Sequence, residues 1–355
     1  MNGLNLLETT ISQLGPLIRD RKLSPVELTE ACIDRCERLD PRLHAFTTMT
    51  PEYALQRARE AETEISRGHY RGPLHGIPYT LKDVVATRGI RTTFGNPRLT
   101  DFKPSEHATV HALLEEAGAV LLGKVYSHIG RGDNPVMCYS PWDPNTSPGT
   151  SSSGSSSTVA SGMSLLSIGT DTGGSVRHPA SNCGLVGFKA TFGRISRSGV
   201  WATSWTTDQA GPITKTVEDS AIAMEALAVF DPKDPVSINL ERSTYRSRIT
   251  DGIRGLKIGL PADSWVWKEW INQDEEDAVR KAVGVLEELG AEIVEVAIPL
   301  AYESRNNSLA AESLVWLRDN FSQEVLEEWV ELHPQIEQAE NQTFAGYLHS
   351  QHKRM

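Results

Sequence analysis

Apolar residues in the first part of the chain recur at helical spacing. The two apolar stripes are Leu28, Cys32, Cys36 and Leu39 in one segment and Ala54, Ala58, Ala61 and Ile65 in the next. Before the first stripe, residues 24–27 read Ser-Pro-Val-Glu, in which serine can cap a helix, proline fits the first turn and glutamate can reach back to the cap. The pattern predicts two amphipathic helices, the second over 51–65, in a helical N-terminal region of about 1–70.

Further along, helical patterns alternate with short apolar runs. A helix predicted over 107–118 ends at a glycine and precedes a strand over 119–122, and the same order recurs with a helix over 274–290 and a strand over 293–298. Another strand is predicted over 255–260. Strands that alternate with helices are typical of α/β proteins with a largely internal sheet. No composition shift splits the chain, so we expect a single domain over 1–355.

Composition excludes several classes of protein. The 355 residues are 39% hydrophobic and 23% charged, as in ordinary globular proteins, and the net charge of −11 argues against direct nucleic-acid binding. The N-terminus resembles no secretory signal, no apolar stretch could span a membrane, and four cysteines are too few for a disulfide framework. We therefore expect a cytoplasmic protein whose cysteines pack in the core. His107 and His111 lie at helical spacing, but we find no accompanying carboxylate pattern and expect no metal.

The segment 76–83 reads Gly-Ile-Pro-Tyr-Thr-Leu-Lys-Asp and carries the first candidate for chemistry. Lys82 ends an apolar, strand-like run and should be partly buried, which disfavours its charged form. A neutral lysine is a competent general base. A lysine beside an aspartate is, however, equally typical of an ordinary surface ion pair, so this segment alone does not decide.

Two serine-containing segments carry the other candidates. In 147–157, 7 of 11 residues are serine, a composition that would also suit a flexible linker, but the chain continues directly into an apolar run and then a glycine turn. That turn, 171–175, reads Asp-Thr-Gly-Gly-Ser. Two glycines before Ser175 let successive amides converge on a developing negative charge, as an oxyanion hole requires. In isolation the same motif is typical of a tight turn with an exposed serine.

Together these segments strongly resemble the amidase signature family. Segment 147–155 reads Ser-Pro-Gly-Thr-Ser-Ser-Ser-Gly-Ser, 169–177 reads Gly-Thr-Asp-Thr-Gly-Gly-Ser-Val-Arg, and 182–189 reads Asn-Cys-Gly-Leu-Val-Gly-Phe-Lys. Segment 76–83 resembles the family's lysine motif. The similarity is strongest over about 76–198, the signature core. It implies a mixed central β-sheet covered by helices on both faces.

The resemblance also implies a catalytic triad and a cofactor-free hydrolysis. Ser175 would be the nucleophile, Ser151 the proton relay and Lys82 the ultimate base. The backbone amides of Thr172, Gly173 and Gly174 would form the oxyanion hole. An ion pair or hydrogen-bonded brace between Asp171 and Arg177 would support the loop. The expected substrate is a small amide or carbamate (urethane), with no cofactor, no membrane and no direct nucleic-acid partner; a homodimer is compatible.

The chain departs from the family pattern in places. Thr150 and Ser153 replace glycines, and a β-branched threonine strongly disfavours positive φ, so the loop must take a permitted conformation or carry strain. Ala190 stands where the family commonly has proline. Relatives also commonly continue beyond the point that corresponds to Met355, and we therefore expect a comparatively short C-terminal part.

Two alternative functions remain open. One is the glutamine-hydrolysing component of a tRNA-dependent amidotransferase, which an acidic chain does not exclude. The stretch 126–139 differs from what that component would carry, and we expect it to line the substrate site. The other is a truncated, non-catalytic relative that acts as a binding protein, against which the presence of all three triad residues argues.

Overall fold

The structure, a computed structural model, describes residues 5–94, 99–127, 138–201, 204–261, 272–297, 309–328 and 333–354. Contacts within the chain divide it into two compact units, 1–246 and 247–355. All of the candidate catalytic residues lie in the first unit. That the whole of 1–355 functions as a single domain stays a prediction.

The first unit is built on a six-stranded sheet in the order β1-β3-β2-β4-β6-β5. Its strands are β1 (Phe46–Met49), β2 (Pro78–Lys82), β3 (Val120–Val125), β4 (Leu166–Asp171), β5 (Val186–Gly187) and β6 (Gln209–Thr214). β2 runs parallel to both β3 and β4, while the other pairs are antiparallel. Every residue of β2, β3 and β6 is buried. Because successive side chains point to opposite faces, both faces of the sheet are covered. The predicted α/β fold with a mixed central sheet is confirmed.

Seven helices of the first unit lie within the described residues. They are α1 (Ile11–Arg19), α2 (Pro25–Leu43), α3 (Pro51–Ser66), α4 (Thr109–Glu116), α5 (Ser153–Ala160), α6 (Arg177–Asn182) and α7 (Val217–Leu227). The predicted cap of α2 is present, since the Ser24 hydroxyl accepts the amides of Val26 at 3.0 Å and Glu27 at 3.3 Å. The strand predicted over 119–122 extends to Val125 as β3, because the buried run includes Lys124.

The serine-rich segment is not a flexible linker: from Ser153 onwards it forms the helix α5. All eight residues of α5 are buried. A side chain at Gly154 would place its Cβ 2.5 Å from the Tyr126 amide nitrogen, so only glycine allows this approach. The small side chains therefore let α5 pack closely against the sheet and hold the preceding loop in place.

The second unit pairs β7 (Lys257–Pro261) with β8 (Glu292–Val296) in parallel. Between them lies α8 (Gln273–Glu288), whose cap is Asn272, and the unit continues with α9 (Leu309–Asn320), α10 (Gln323–Glu328), α11 (His333–Glu340) and α12 (Phe344–Arg354). The helix and both strands predicted in this unit are present with boundaries shifted by about two residues, except that Ile298 lies outside the described residues. No described helix is both long and apolar enough to cross a membrane.

Candidate active site

Lys82 is the last residue of β2 and is only 2% exposed. Its Nζ donates to Ser151 Oγ at 2.6 Å and to Thr170 Oγ1, on the neighbouring strand β4, at 2.8 Å. In the described parts of the chain, no carboxylate forms an ion pair with this ammonium group. The alternative interpretation, that Lys82 forms an ordinary surface ion pair, is therefore wrong, because the side chain is buried and contacts two hydroxyls.

This environment makes Lys82 easy to deprotonate. Burial lowers the pKa of Lys82 from 10.5 to about 7, while the negative charges of Asp208 and Asp171 oppose part of that shift. Near neutral pH the Lys82 side chain is therefore uncharged in a substantial fraction of the molecules. An uncharged amine that faces a serine hydroxyl at 2.6 Å can accept its proton.

The loop before α5 holds Ser151 in an unusual backbone conformation. Gly149 has φ of +99° and Ser151 has φ of +70°, whereas Thr150 does not adopt a positive φ. A Cβ on Gly149 would lie 2.5 Å from Pro179 Cα, so this position requires glycine. Thr150 thus takes a permitted conformation, and the left-handed residue is Ser151, where a non-glycine side chain costs roughly 1–2 kcal/mol. Backbone strain of this kind is often found at functional positions.

The glycine turn after β4 is organised by Asp171. Its carboxylate accepts the amides of Gly174 at 2.8 Å and Val176 at 3.2 Å, and Arg177 contacts it through Nε and Nη2, each at 3.0 Å. Burial alone would raise the pKa of Asp171, but these partners outweigh it and the net shift is downward. The carboxylate thus stays ionised and keeps the turn in one conformation.

The three amides expected in the oxyanion hole are not equivalent. Gly174 already donates its N–H to Asp171, so this donor is engaged. Within the described residues, the amides of Thr172, Gly173 and Ser175 donate to no protein acceptor. The Ser175 amide was not among the predicted donors. An oxyanion at this turn would therefore meet two of the predicted donors and one further amide.

Ser175 itself is half-buried at the end of this turn. In the described structure its hydroxyl makes no hydrogen bond with Ser151 or Lys82. The fold thus joins Lys82 to Ser151 directly and places Ser175 four residues beyond the strand whose Thr170 binds Lys82. The stretch 126–139 is the one expected to line the substrate site. Most of it, residues 128–137, lies outside the described residues.

Comparisons with known proteins identify the family of this chain. A family model described as Amidase matches residues 27–347. The chain belongs to the amidase signature family. It is 40% identical over 302 residues to a subunit of the glutamyl-tRNA(Gln) amidotransferase of Geobacter sp. (strain M21), covering 83% of this chain but only 62% of that relative.

Solved structures of the family share the fold. Peptide amidase from Stenotrophomonas maltophilia superimposes with a TM-score of 0.87 at 29% identity, covering 97% of this chain and 78% of the other. The corresponding subunit of the glutamyl-tRNA(Gln) amidotransferase of Thermotoga maritima gives a TM-score of 0.79 at 29% identity. That match covers 100% of this chain and 76% of the other.

Next to the amidase motifs lies a second buried lysine that sequence reasoning missed. Lys124 of β3 is fully buried, and its Nζ donates to the Val85 carbonyl at 2.6 Å and to Thr92 Oγ1 at 2.9 Å. Asp83 Oδ1 lies 3.5 Å from the same nitrogen. Burial lowers the pKa of Lys124 to about 8, and Asp83 opposes the shift. The only signal in the sequence was a lysine inside an apolar run.

The expectation that no carboxylate accompanies His107 and His111 is wrong. Glu115 Oε2 lies 3.7 Å from His107 Nε2 and 3.9 Å from His111 Nε2. The spacing of four residues from His111 to Glu115 could have indicated this. However, the Arg88 amide donates to His107 Nδ1 at 3.1 Å. A neutral imidazole has one lone pair, so Nε2 of His107 carries the proton and offers no lone pair to a metal. The absence of a metal stays a prediction.

Proposed function

We propose that this chain hydrolyses the C–N bond of a small amide or carbamate through Ser175, Ser151 and Lys82. The observation that carries the proposal is the buried Lys82 amine, which contacts the Ser151 hydroxyl at 2.6 Å and has a pKa lowered to about 7. A serine beside a lysine that loses its proton near neutral pH is suited to general base catalysis.

In the first half-reaction, Ser175 Oγ attacks the carbonyl carbon. Its proton passes to Ser151 Oγ while the Ser151 proton passes to Lys82 Nζ. The Ser175 hydroxyl must turn towards Ser151 for this step. The amides of Thr172, Gly173 and Ser175 donate to the oxyanion of the tetrahedral intermediate. The C–N bond then breaks, and the leaving amine takes up the proton from Lys82 through Ser151, which leaves an ester on Ser175.

In the second half-reaction, water attacks the ester carbonyl. The water proton passes through Ser151 to Lys82, and a second tetrahedral intermediate forms. Its collapse breaks the bond to Ser175 Oγ, which regains a proton from Lys82 through Ser151. The acid product leaves, and each residue returns to its starting protonation state. No cofactor takes part in these steps.

A serine-reactive fluorophosphonate tests the proposal without knowledge of the substrate. Intact mass after exposure should show a single adduct on the wild-type chain and none on Ser175→Ala. A folded wild-type chain that forms no adduct would contradict the proposal and favour a non-catalytic binding protein. An adduct retained in Ser175→Ala would place the nucleophile at another residue.

The glutamine-hydrolysing component of an amidotransferase is the second candidate. The 40% identity over 302 residues to a subunit of such an enzyme favours it. The chain spans 62% of that relative's length, and the comparison is limited to that part. Ammonia release should be measured with glutamine and, separately, with aryl amides and carbamates. Release from glutamine alone would favour the amidotransferase component, whereas release from the other substrates would favour a hydrolase that acts on its own.

A further inference from the structure

Beyond the triad, we propose that Asp208 is a positioning residue of this site. Its carboxylate holds Thr172 at the start of the glycine turn and supplies a negative charge at the end of the sheet where the Lys82 ammonium group contacts Thr170. The inference rests on the proposed function. Sequence reasoning did not single out Asp208, which directly precedes β6.

Strand register explains how Asp208 reaches the site. The antiparallel ladder between β4 and β6 pairs Thr170 with Ala210 and Asp171 with Gln209. One further step along the ladder brings Thr172 opposite Asp208. Side chains two residues apart share one face of a sheet. Thr172 and Asp208 therefore lie on the same face as Thr170, whose hydroxyl the Lys82 ammonium group reaches at the end of β2.

Asp208 accepts hydrogen bonds from two different segments of the chain and so holds them together. The Thr172 hydroxyl donates to Asp208 Oδ1 at 2.5 Å, and the Ser204 amide donates to Oδ2 at 2.8 Å. Asp208 is only 6% exposed. The carboxylate thus joins the loop before β6 to the first residue of the turn, whose amide is free to meet an oxyanion. An asparagine in its place could accept only one of these two hydrogen bonds, because its amide nitrogen is a donor.

Asp208 and Asp171 are the carboxylates whose negative charges act on Lys82. Among the negative groups that act on Lys82, Asp208 contributes most and Asp171 second. Asp171 is balanced by its two-point contact with Arg177. Asp83 is paired with Lys124, whose Nζ lies 3.5 Å from Asp83 Oδ1.

Three variants separate the two parts of the proposal. Asp208→Asn removes the charge and one hydrogen bond, and Thr172→Val removes the hydrogen bond but keeps the charge. Asp231→Asn is a control at a carboxylate of similar burial, 7% exposed, which accepts the hydroxyls of Ser196 and Thr109. Two readouts are compared: the titration midpoint of Lys82 from its ¹³Cε chemical shift, assigned with Lys82→Met, and the pH dependence of fluorophosphonate labelling.

In Asp208→Asn, the Lys82 midpoint should fall by roughly one pH unit, since a nearby negative charge favours the ammonium form. The rise of labelling with pH should move down with it. In Thr172→Val the midpoint should stay near the wild-type value while labelling slows about tenfold, as expected when one hydrogen bond that orients the turn is lost. Asp231→Asn should change neither readout.

An unchanged Lys82 midpoint in Asp208→Asn would overturn the charge role, and wild-type labelling of Thr172→Val would overturn the positioning role. The chemical shift titration needs no catalysis. A wild-type chain that resists labelling would therefore count against the proposed function, while the Lys82 midpoints would still decide the role of Asp208. If Asp208→Asn does not fold, Thr172→Val still tests positioning, and Asp208→Ser, a smaller neutral side chain, tests the charge, since it should also lower the midpoint below the wild-type value of about 7.

Discussion

Two buried lysines on neighbouring strands of one sheet are placed in opposite environments. Lys124 on β3 has a carbonyl, a hydroxyl and the carboxylate of Asp83 around its ammonium group. Lys82 on β2 instead contacts two hydroxyls, those of Ser151 and Thr170. The register places the two side chains on opposite faces of the sheet, because Lys82 pairs with Val125 and Lys124 with Leu81.

Burial alone therefore does not identify a catalytic lysine. Burial lowers the pKa of both side chains, to about 7 for Lys82 and about 8 for Lys124. What differs is the group that each ammonium contacts. The Asp83 carboxylate pairs with the Lys124 ammonium group. This pair connects β3 to the segment that follows β2, which is a structural role. The serine hydroxyl beside Lys82 is a group that can exchange a proton with it, which is a chemical role.

The strongest test of this difference is Lys82→Met. Labelling of Ser175 and turnover should fall on the order of 10⁴-fold, as for other essential triad members. The protein should remain folded, because methionine fills a similar volume and leaves no charged partner unpaired. Single-turnover labelling and thermal melting of the same sample give both quantities. A near-normal labelling rate would rule out Lys82 as the base.

Ser151→Ala tests whether contact with a serine is what gives Lys82 its role. The acylation rate should fall by about 10²–10⁴-fold, since a positioned proton-transfer group contributes that much. Substrate binding should be retained, because the hydroxyl faces Lys82 rather than the glycine turn. Ser147→Ala, at an exposed serine in the same loop, is the matched control. An unchanged acylation rate in Ser151→Ala would contradict the relay.

Lys124→Met should have the opposite effect to Lys82→Met: a loss of stability with little loss of labelling. Without its counterion, Asp83 would stay buried as an unpaired charge, and the free energy of unfolding should fall by about 3–5 kcal/mol. Denaturant unfolding measures this effect. The double variant Lys124→Met/Asp83→Asn should recover part of the loss, because the buried charge is gone. Labelling per folded molecule should stay within a few-fold of wild type, and a large loss of labelling in a folded variant would assign chemistry to Lys124.

The smallest expected effect is the pH dependence of stability. The folded-state pKa of Lys82 is about 7, whereas its ordinary value is 10.5. Between these values the unfolded chain binds one more proton than the folded chain, so the free energy of unfolding rises with pH in that window. Compared with Lys82→Met, wild type should therefore gain stability from pH 7 to pH 9. A difference between the two proteins that does not change with pH would show that the Lys82 pKa is not lowered.

The sequence predicted features that depend on neighbouring residues. The Ser24 cap and the helix that follows it were predicted correctly, because a cap involves residues within one turn. The ordered serine and glycine motifs indicated the family, since their spacing is written along the chain. The same local information named Lys82, Ser151 and Ser175 as the candidates. It left open whether Thr150 would take a permitted conformation or carry strain, and only the structure shows that the positive φ lies at Ser151 instead.

Tertiary structure alone decided which groups meet across strands. The engagement of the Gly174 amide by Asp171, the counterion of Lys124 and the contact between Thr172 and Asp208 all depend on turn geometry, strand register and burial. Asp208 follows Thr172 by 36 residues and becomes its neighbour only because β4 and β6 pair antiparallel. The strength of an interaction between charges likewise depends on the surrounding medium, and burial is a property of the whole fold. The sequence therefore determined which residues are available for chemistry, and the fold determined which lysine has a hydroxyl beside it and which has a carboxylate.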